Sequence, residues 1–563
     1  MKQKQLLSVS YTLLLTLALS AVISPSLLAT QPQAPRSQVQ QSTSTPGPVA
    51  APTVSPAAPT QTPVVAPTPA ATQPKTVAPT KSVVELQSRI SEILRKPDIA
   101  SAMVGIKVTS LDTGRVLFEE NSTKLLRPAS NMKIYTVATA LDRLSPDFRF
   151  NTSVYAKARP NADGVIRGDL TIFGRGDPSI AARFNNGDYF KGIQDLASRI
   201  VAAGVKRVEG DLVGDESYFV GPQYGAGWQW EDLTWYYGAE VTSLTINDNA
   251  LDLFVKPGPG IGTLANITTG PPDPLLAIVN QVTTAARGTR RNISVYRGLG
   301  ENKVVINGTI PIDDKGYSGG IGISHPALLF VYLLRAELNK KGVVVTGKSR
   351  ISDALNTRVA SISPTPVTTQ VEVASMQSPP LSLVAAQTLK PSQNLYTELI
   401  LRTLGKVVPP APDQPPRQTS EDQGIEIVKG FLKSVGIQPE SLALSDGSGL
   451  SRDDMITADA SVELLTFMSK HRYADVFRNA LPIAGVDGTL RTRLRNTAAE
   501  NNLRAKTGSL SSAASLAGYV TSAAGERLAF SIMVNNYAPG VEPRSLCIDP
   551  IAVLLASFEG RSQ

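Results

Sequence analysis

Ser130 and Lys133 lie three residues apart in RPASNMKIYT, and helical spacing would put them on one face. A serine hydroxyl becomes a nucleophile when a base takes its proton. Lysine can be that base only as the neutral amine, or if its proton is relayed, so its pKa must fall well below about 10.4. Burial pushes it down, and so does a second cation such as Lys506. Ser-x-x-Lys alone is a weak signal, because a serine at a helix start also serves as a plain cap. The chain holds a single Ser-x-x-Lys, a single Ser-x-Asn (Ser392 to Asn394) and a single Lys-Thr-Gly (Lys506 to Gly508), in that order. Together they describe an acyl-transfer site. Ser392 passes a proton to a leaving amine, and Asn394 holds Lys133 and a substrate amide. Lys506 and Thr507 hold a terminal carboxylate on a strand that pairs with an extended peptide. Gly508 leaves room for close approach, and the backbone N–H groups of Ser130 and Ser509 form an oxyanion hole.

These residues need a frame. Hydrophobic periodicity predicts a helix over VVELQSRISEILR, a hairpin of MVGIKVTSL and RVLFEEN turning at Asp112-Thr113-Gly114, and a helix starting at Ser130. Towards the C-terminus NLYTELILRTL reads as a helix. RAKTGSL, AASLAGYVTSA and RLAFSIMVNN read as strands, and SLCIDPIAVLLASF as a closing helix. The chain between about Phe150 and Gln370 is different, with short strands and many glycines, and GDLTIFGRGDPS and VEGDLVGDESYF look like separate β-rich pieces. Strands at both ends of the body with helices between them predict one α/β (α+β) domain interrupted by a large β-rich insertion.

The 563 residues carry 42% hydrophobic and 18% charged side chains and a net charge of +8, enough to bury a sizeable core. Charge is unevenly placed, since the first acidic residue is Glu85. Lys2 and Lys4 precede an apolar run from Leu6 to Ile23 and then small residues, the pattern of a secretory signal. At its length an uncleaved membrane anchor is the alternative. The boundaries expected are a signal or anchor over 1–29 and a Pro/Thr/Ala-rich, unstructured spacer over 30–81. The catalytic domain follows in two segments, 82–152 and 371–563, around inserted β-rich domains over 153–370. Export places the protein in the periplasm or cell envelope. Cys547 is the one cysteine, so no internal disulfide forms. With only His325 and His471, a Ser–His–Asp hydrolase and a zinc peptidase are both disfavoured. No metal, cofactor or nucleic-acid partner is expected.

The three motifs resemble those of the penicillin-recognising serine acyl-transferases. PASNMK, GRGDPS, GWQWEDLTWYY followed by TINDN, SDGSGLSR, AGVDGTL and AKTGSL are similar to blocks of the class C low-molecular-mass penicillin-binding proteins. That resemblance implies a transpeptidase/β-lactamase-like domain and a serine-type D-Ala-D-Ala carboxypeptidase, also cutting D-alanyl cross-links as an endopeptidase. Its substrates would be peptidoglycan stem peptides and its inhibitors β-lactam antibiotics. It assigns Ser130 as the acylated nucleophile and Lys133 as its base, followed by Ser392 with Asn394 and Lys506 with Thr507. It further implies that Asp232, Tyr237 and Arg452 bind the free end of a diamino-acid side chain. Ser511 stands where some members have a glutamine. The rivals are a β-lactamase-like hydrolase with the same motifs and a non-catalytic wall-binding protein.

Several features have plainer readings. Trp228, Trp230 and Trp235 form either the rim of a cleft or a plug where the insertion packs. Asp446 to Gly449 form either a simple turn or a loop presenting Arg452. Arg175-Gly176-Asp177 spells an adhesion tripeptide but reads better as a turn between short strands.

Overall fold

A computed structural model describes residues 78–352, 370–410, 412, 415 and 417–563. The signal and nearly all of the spacer expected at the N-terminus lie outside the described residues. Among the described residues no helix is long and apolar enough to cross a membrane.

Alternation along one strand builds the half of the fold that carries the three motifs. In Arg527–Asn535, Leu528, Phe530, Ile532 and Val534 face one core, while Ala529 and Met533 face another. The strand is therefore covered on both sides, as its nearly continuous apolar sequence requires. It sits at the centre of a five-stranded sheet ordered Arg504–Leu510, Ala513–Thr521, Arg527–Asn535, Met103–Ser110, Val116–Glu120, with antiparallel neighbours. Sequence-distant strands meet there, Met103 opposite Asn535 and Ser110 opposite Leu528. The expected hairpin is present, and Gly114 supplies its positive φ of 78°. Helix Val83–Leu94 starts at Ser82, whose hydroxyl accepts the Glu85 N–H, and packs with Asp549–Ala556 on one face. The closing helix differs from expectation at its start, where Arg544–Ile548 winds as a π turn.

The other face carries Met132–Leu144, buried at every position from Met132 to Leu141. A helix buried all round must satisfy its polar side chains internally. Thr136 donates to the Gly447 carbonyl, and the Tyr135 and Ser461 hydroxyls pair.

The chain leaves this half through strand Asn151–Ala156 and returns through Val371–Gln377, and the two pair antiparallel with Asn151 opposite Gln377. Val371–Gln377, grouped by sequence with the second catalytic segment, thus belongs to the inserted sheet. That sheet runs Ser349–Ile351, Leu212–Asp215, Leu170–Phe173, Asn151–Ala156, Val371–Gln377. The two pieces expected to be separate are neighbours in it, with Leu170–Phe173 parallel to Leu212–Asp215. Helices Lys191–Ala202 and Pro326–Lys340 pack on the insertion's own core. Two further three-stranded sheets span residues 250–322.

Candidate active site

Ser130 lies in a single turn, Ala129–Asn131, that feeds helix Met132–Leu144. Its side chain caps nothing. The Ser130 hydroxyl oxygen accepts from Lys133 Nζ at 3.0 Å. Lys133 is fully buried and donates also to Asn394 Oδ1 at 2.6 Å and to the Ser448 carbonyl at 2.7 Å. An ammonium has three donors, and all are used. Burial pulls the Lys133 pKa down to about 8, while the carboxylates of Asp446, Glu398 and Asp454 act against that fall. The second cation therefore works differently from the sequence expectation. Lys506, fully buried, is held well below the ordinary lysine range by burial first and by Lys133 second.

Lys506 Nζ donates to the Ser392 hydroxyl at 2.8 Å and to the Thr507 carbonyl. Ser392 takes a left-handed φ of 66° just before helix Asn394–Val407, which Gln393 caps by accepting the Leu395 N–H. Thr507 donates to the Thr489 hydroxyl at 2.8 Å, and the Thr489 N–H reaches the Lys390 carbonyl, so the second and third motifs are tied together. Gly508 does permit a close approach, but by the chain itself. A Cβ there would stand 2.1 Å from the Ser515 hydroxyl and 2.5 Å from the Pro128 carbonyl oxygen, which are bonded to each other. Ser509 is exposed, and its hydroxyl accepts from Arg544 at 2.7 Å.

SDGSGLSR is more than a turn. The buried Asp446 carboxylate accepts from the N–H groups of Gly449, Leu450 and Ser451, the Ser448 hydroxyl and Trp228 Nε1. Glu398, one helical turn beyond Asn394, accepts the Gly447 N–H. Burial, with Asp446 and Glu421 nearby, raises the Glu398 carboxyl well above the usual range. This scaffold aims the Ser448 carbonyl at Lys133. Sequence reasoning missed Glu398 and Thr489, and it read Asp446 to Gly449 only as a turn or a loop presenting Arg452. Only the glycine-flanked SDGSGLSR string hinted at such a loop, because the atom that matters is a carbonyl.

Asp232 and Arg452 are brought together, joined through both guanidinium ends, with Asp232 also accepting the Gln229 N–H. Each answers the other's charge, so Arg452 is not offered free to a carboxylate. Tyr237 stands beside them, its phenol raised to about 12 by burial and then by Asp232. The Tyr237 carbonyl accepts from Asn394 Nδ2 at 2.8 Å, linking this cluster to the buried lysine. The tryptophans divide: Trp228 reaches Asp446, whereas Trp230 is 63% exposed. Asp177 of the adhesion-like tripeptide is buried and accepts from Ser179, consistent with a turn. His471 bonds Asp142, and His325 stands before helix Pro326–Lys340 in the insertion without capping it through its side chain.

Residues 86–557 match the sequence pattern of the D-Ala-D-Ala carboxypeptidase 3 (S13) family. A D-alanyl-D-alanine carboxypeptidase of Actinomadura sp. (strain R39) is 32% identical over 487 residues, which cover 84% of this chain and 85% of that protein. The D-alanyl-D-alanine carboxypeptidase DacB of Haemophilus influenzae is 25% identical, over 78% of this chain and 86% of its own. In three dimensions the chain is similar to the crystal structure of penicillin binding protein 4 from Haemophilus influenzae. The TM-score is 0.70 at 23% identity, covering 85% of this chain and 100% of that one, which gives it the same fold.

Proposed function

The chain belongs to the D-Ala-D-Ala carboxypeptidase 3 (S13) family, and from that premise we propose how its own residues carry out the reaction. It is a serine-type D-alanyl-D-alanine carboxypeptidase, a peptidase hydrolase. The observation that carries the assignment of roles is the lysine buried between Ser130, Asn394 and the Ser448 carbonyl.

With its pKa near 8, Lys133 is neutral in roughly a tenth of molecules at pH 7. That fraction takes the proton of Ser130 as its oxygen bonds the carbonyl carbon of the penultimate D-alanine. The scissile C–N bond then breaks. The proton goes to the departing nitrogen through Ser392, which Lys506 holds in place. Free D-alanine leaves, and the acyl group remains on Ser130. Water next attacks the ester, gives its proton to Lys133 and restores the Ser130 hydroxyl. Thr507 and Lys506 orient the terminal carboxylate, and the Ser130 and Ser509 N–H groups receive the oxyanion. The Asp232–Arg452 pair, with Tyr237, recognises the zwitterionic free end of a diamino acid by exchanging partners with it. A β-lactam follows the same first step, and a D-alanyl cross-link in peptidoglycan is a second substrate. The basic, apolar N-terminus directs the enzyme to the periplasm or cell envelope.

Mass spectrometry after penicillin treatment should show one adduct on the peptide containing Ser130. Ser130→Ala should lose both that adduct and D-alanine release from a pentapeptide. An adduct elsewhere, or retained release, would overturn the assignment, and rapid turnover of penicillin would favour the β-lactamase reading.

A further inference from the structure

Beside the second motif the insertion, together with Pro391 and Gln393, lines an open cavity of about 500 Å³, inside the roughly 300–1,000 Å³ range of small-ligand sites. Pro391 and Gln393, on either side of Ser392, form part of its wall. The rest comes from the loop around Ala182 and Arg183, from Tyr189 and Tyr236, and from Asp248 and Asp252. Asp232, Tyr237 and Arg452 do not line it. It is therefore a second recess bordering Ser392, distinct from the cluster on Asn394.

Its chemistry is unbalanced in two ways. Asp248 is answered, since Arg183 and the Tyr396 hydroxyl both donate to it. Among the described residues Asp252 accepts only from the Tyr189 hydroxyl and no basic side chain forms an ion pair with it, Arg183 acting on it only at longer range. The two carboxylates thus outnumber the one guanidinium. Burial raises the Asp252 carboxyl above its ordinary range, so a cation arriving there would meet a poorly solvated acid. The second imbalance is Gln393. Only 2% exposed, it spends its oxygen on the Leu395 N–H and leaves Nε2 buried without a partner. An unmet buried donor costs about 1–3 kcal/mol and calls for a carbonyl or carboxylate oxygen. A ligand carrying an ammonium and a peptide carbonyl answers both; a neutral sugar would leave Asp252 unanswered.

We propose that this cavity is the subsite for the second stem peptide of a cross-link, the amine-bearing strand that departs when the bond is cut, with Asp252 taking its ammonium. The proposal rests on the endopeptidase reading above. When a cross-link is cleaved, the C–N bond breaks, the acyl half stays on Ser130, and the departing nitrogen gains a proton. The partner strand then changes from an uncharged amide to an ammonium with a whole peptide behind it. Ser392 is the residue assigned to that nitrogen, and its two neighbours are part of the cavity wall. D-Alanine, the leaving group of the carboxypeptidase reaction, is too small to need such a recess. The cavity therefore separates the two activities.

Asp252→Asn removes the charge and keeps an acceptor for Tyr189, while Ala182→Trp fills the space. Both should release D-alanine from a monomeric pentapeptide, and be acylated by penicillin, within about twofold of wild type. Both should cleave a disaccharide-free cross-linked stem dimer at least tenfold more slowly. A free-amine stem tetrapeptide should bind the penicillin-acylated protein and lose at least tenfold in affinity with Asp252→Asn. Unchanged dimer cleavage in both variants, or an equal loss on pentapeptide and dimer, would overturn the subsite. A wild type that releases D-alanine but never cuts the dimer would defeat the endopeptidase reading. The tetrapeptide titration would then decide: binding that depends on Asp252 supports the subsite, and its absence overturns it.

Discussion

At the scale of the residue, the proposed chemistry turns on how strongly Lys133 holds its proton. Burial favours the neutral amine, and the three nearby carboxylates favour the ammonium. The folded-state pKa is depressed, so the active, neutral form grows as pH rises. Acylation by a chromogenic β-lactam should therefore climb tenfold per pH unit below about 8 and level off above it. Asp446 is the largest of the opposing charges. Asp446→Asn should move that limb to lower pH, by about one unit. The same change puts an NH2 group among donors that had an acceptor, so thermal stability should fall by an amount comparable to about 1–3 kcal/mol. A purely structural role would lower the melting temperature and the plateau rate but leave the limb in place.

At the scale of the element, three pieces of backbone must meet without side chains between them. Gly449 has φ +76°, and a Cβ on it would lie 1.9 Å from the Ala129 carbonyl oxygen. Gly449→Ala should part the SDGSGLSR loop from the turn that carries Ser130 and draw the Ser448 carbonyl away from Lys133. Misplacement on that scale costs on the order of 100-fold in rate. Stopped-flow acylation should show that loss even where circular dichroism reports a folded protein, and a near-normal rate would refute the packing argument. This contact also marks where the sequence ceased to be legible. The helix after Ser130, the strand of Lys-Thr-Gly and the hairpin at Gly114 follow from periodicity and turn residues. The Ser448 and Tyr237 carbonyls do not, because every residue has a carbonyl and only the fold aims it. Nor does the Asp232–Arg452 pair, joined across 220 residues of chain. The parallel pairing of Leu170–Phe173 with Leu212–Asp215 was hidden for the same reason: short strands name no partner.

At the scale of the molecule, the insertion is part of the site and not an ornament on it. It sends the Tyr237 carbonyl to Asn394 and Trp228 to Asp446. Phe219 and Val241 join Leu395, Tyr396 and Leu399 in one small apolar cluster. Arg402, 2% exposed, is the polar half of that joint. It donates to the Pro222 carbonyl at 2.7 Å and the Val241 carbonyl at 3.4 Å on the inserted side, and pairs with Glu421 at 3.3 Å. Burial raises the Glu421 carboxyl to about 7, and Arg402 is the main influence lowering it. Arg402→Met keeps the volume but withdraws the cation that lowers Glu421 and Glu398, and leaves two carbonyls unmet. Breaking a buried pair on one side costs about 3–5 kcal/mol. The variant should therefore melt several degrees lower, and because Glu398 supports the Gly447 N–H, its acylation should slow in step. If the insertion were only a tethered accessory, the loss of stability would leave penicillin acylation at the wild-type rate below the melting transition. The hydrogen-bond path from Arg402 through Glu421 to the Ala226 N–H argues for the coupled outcome.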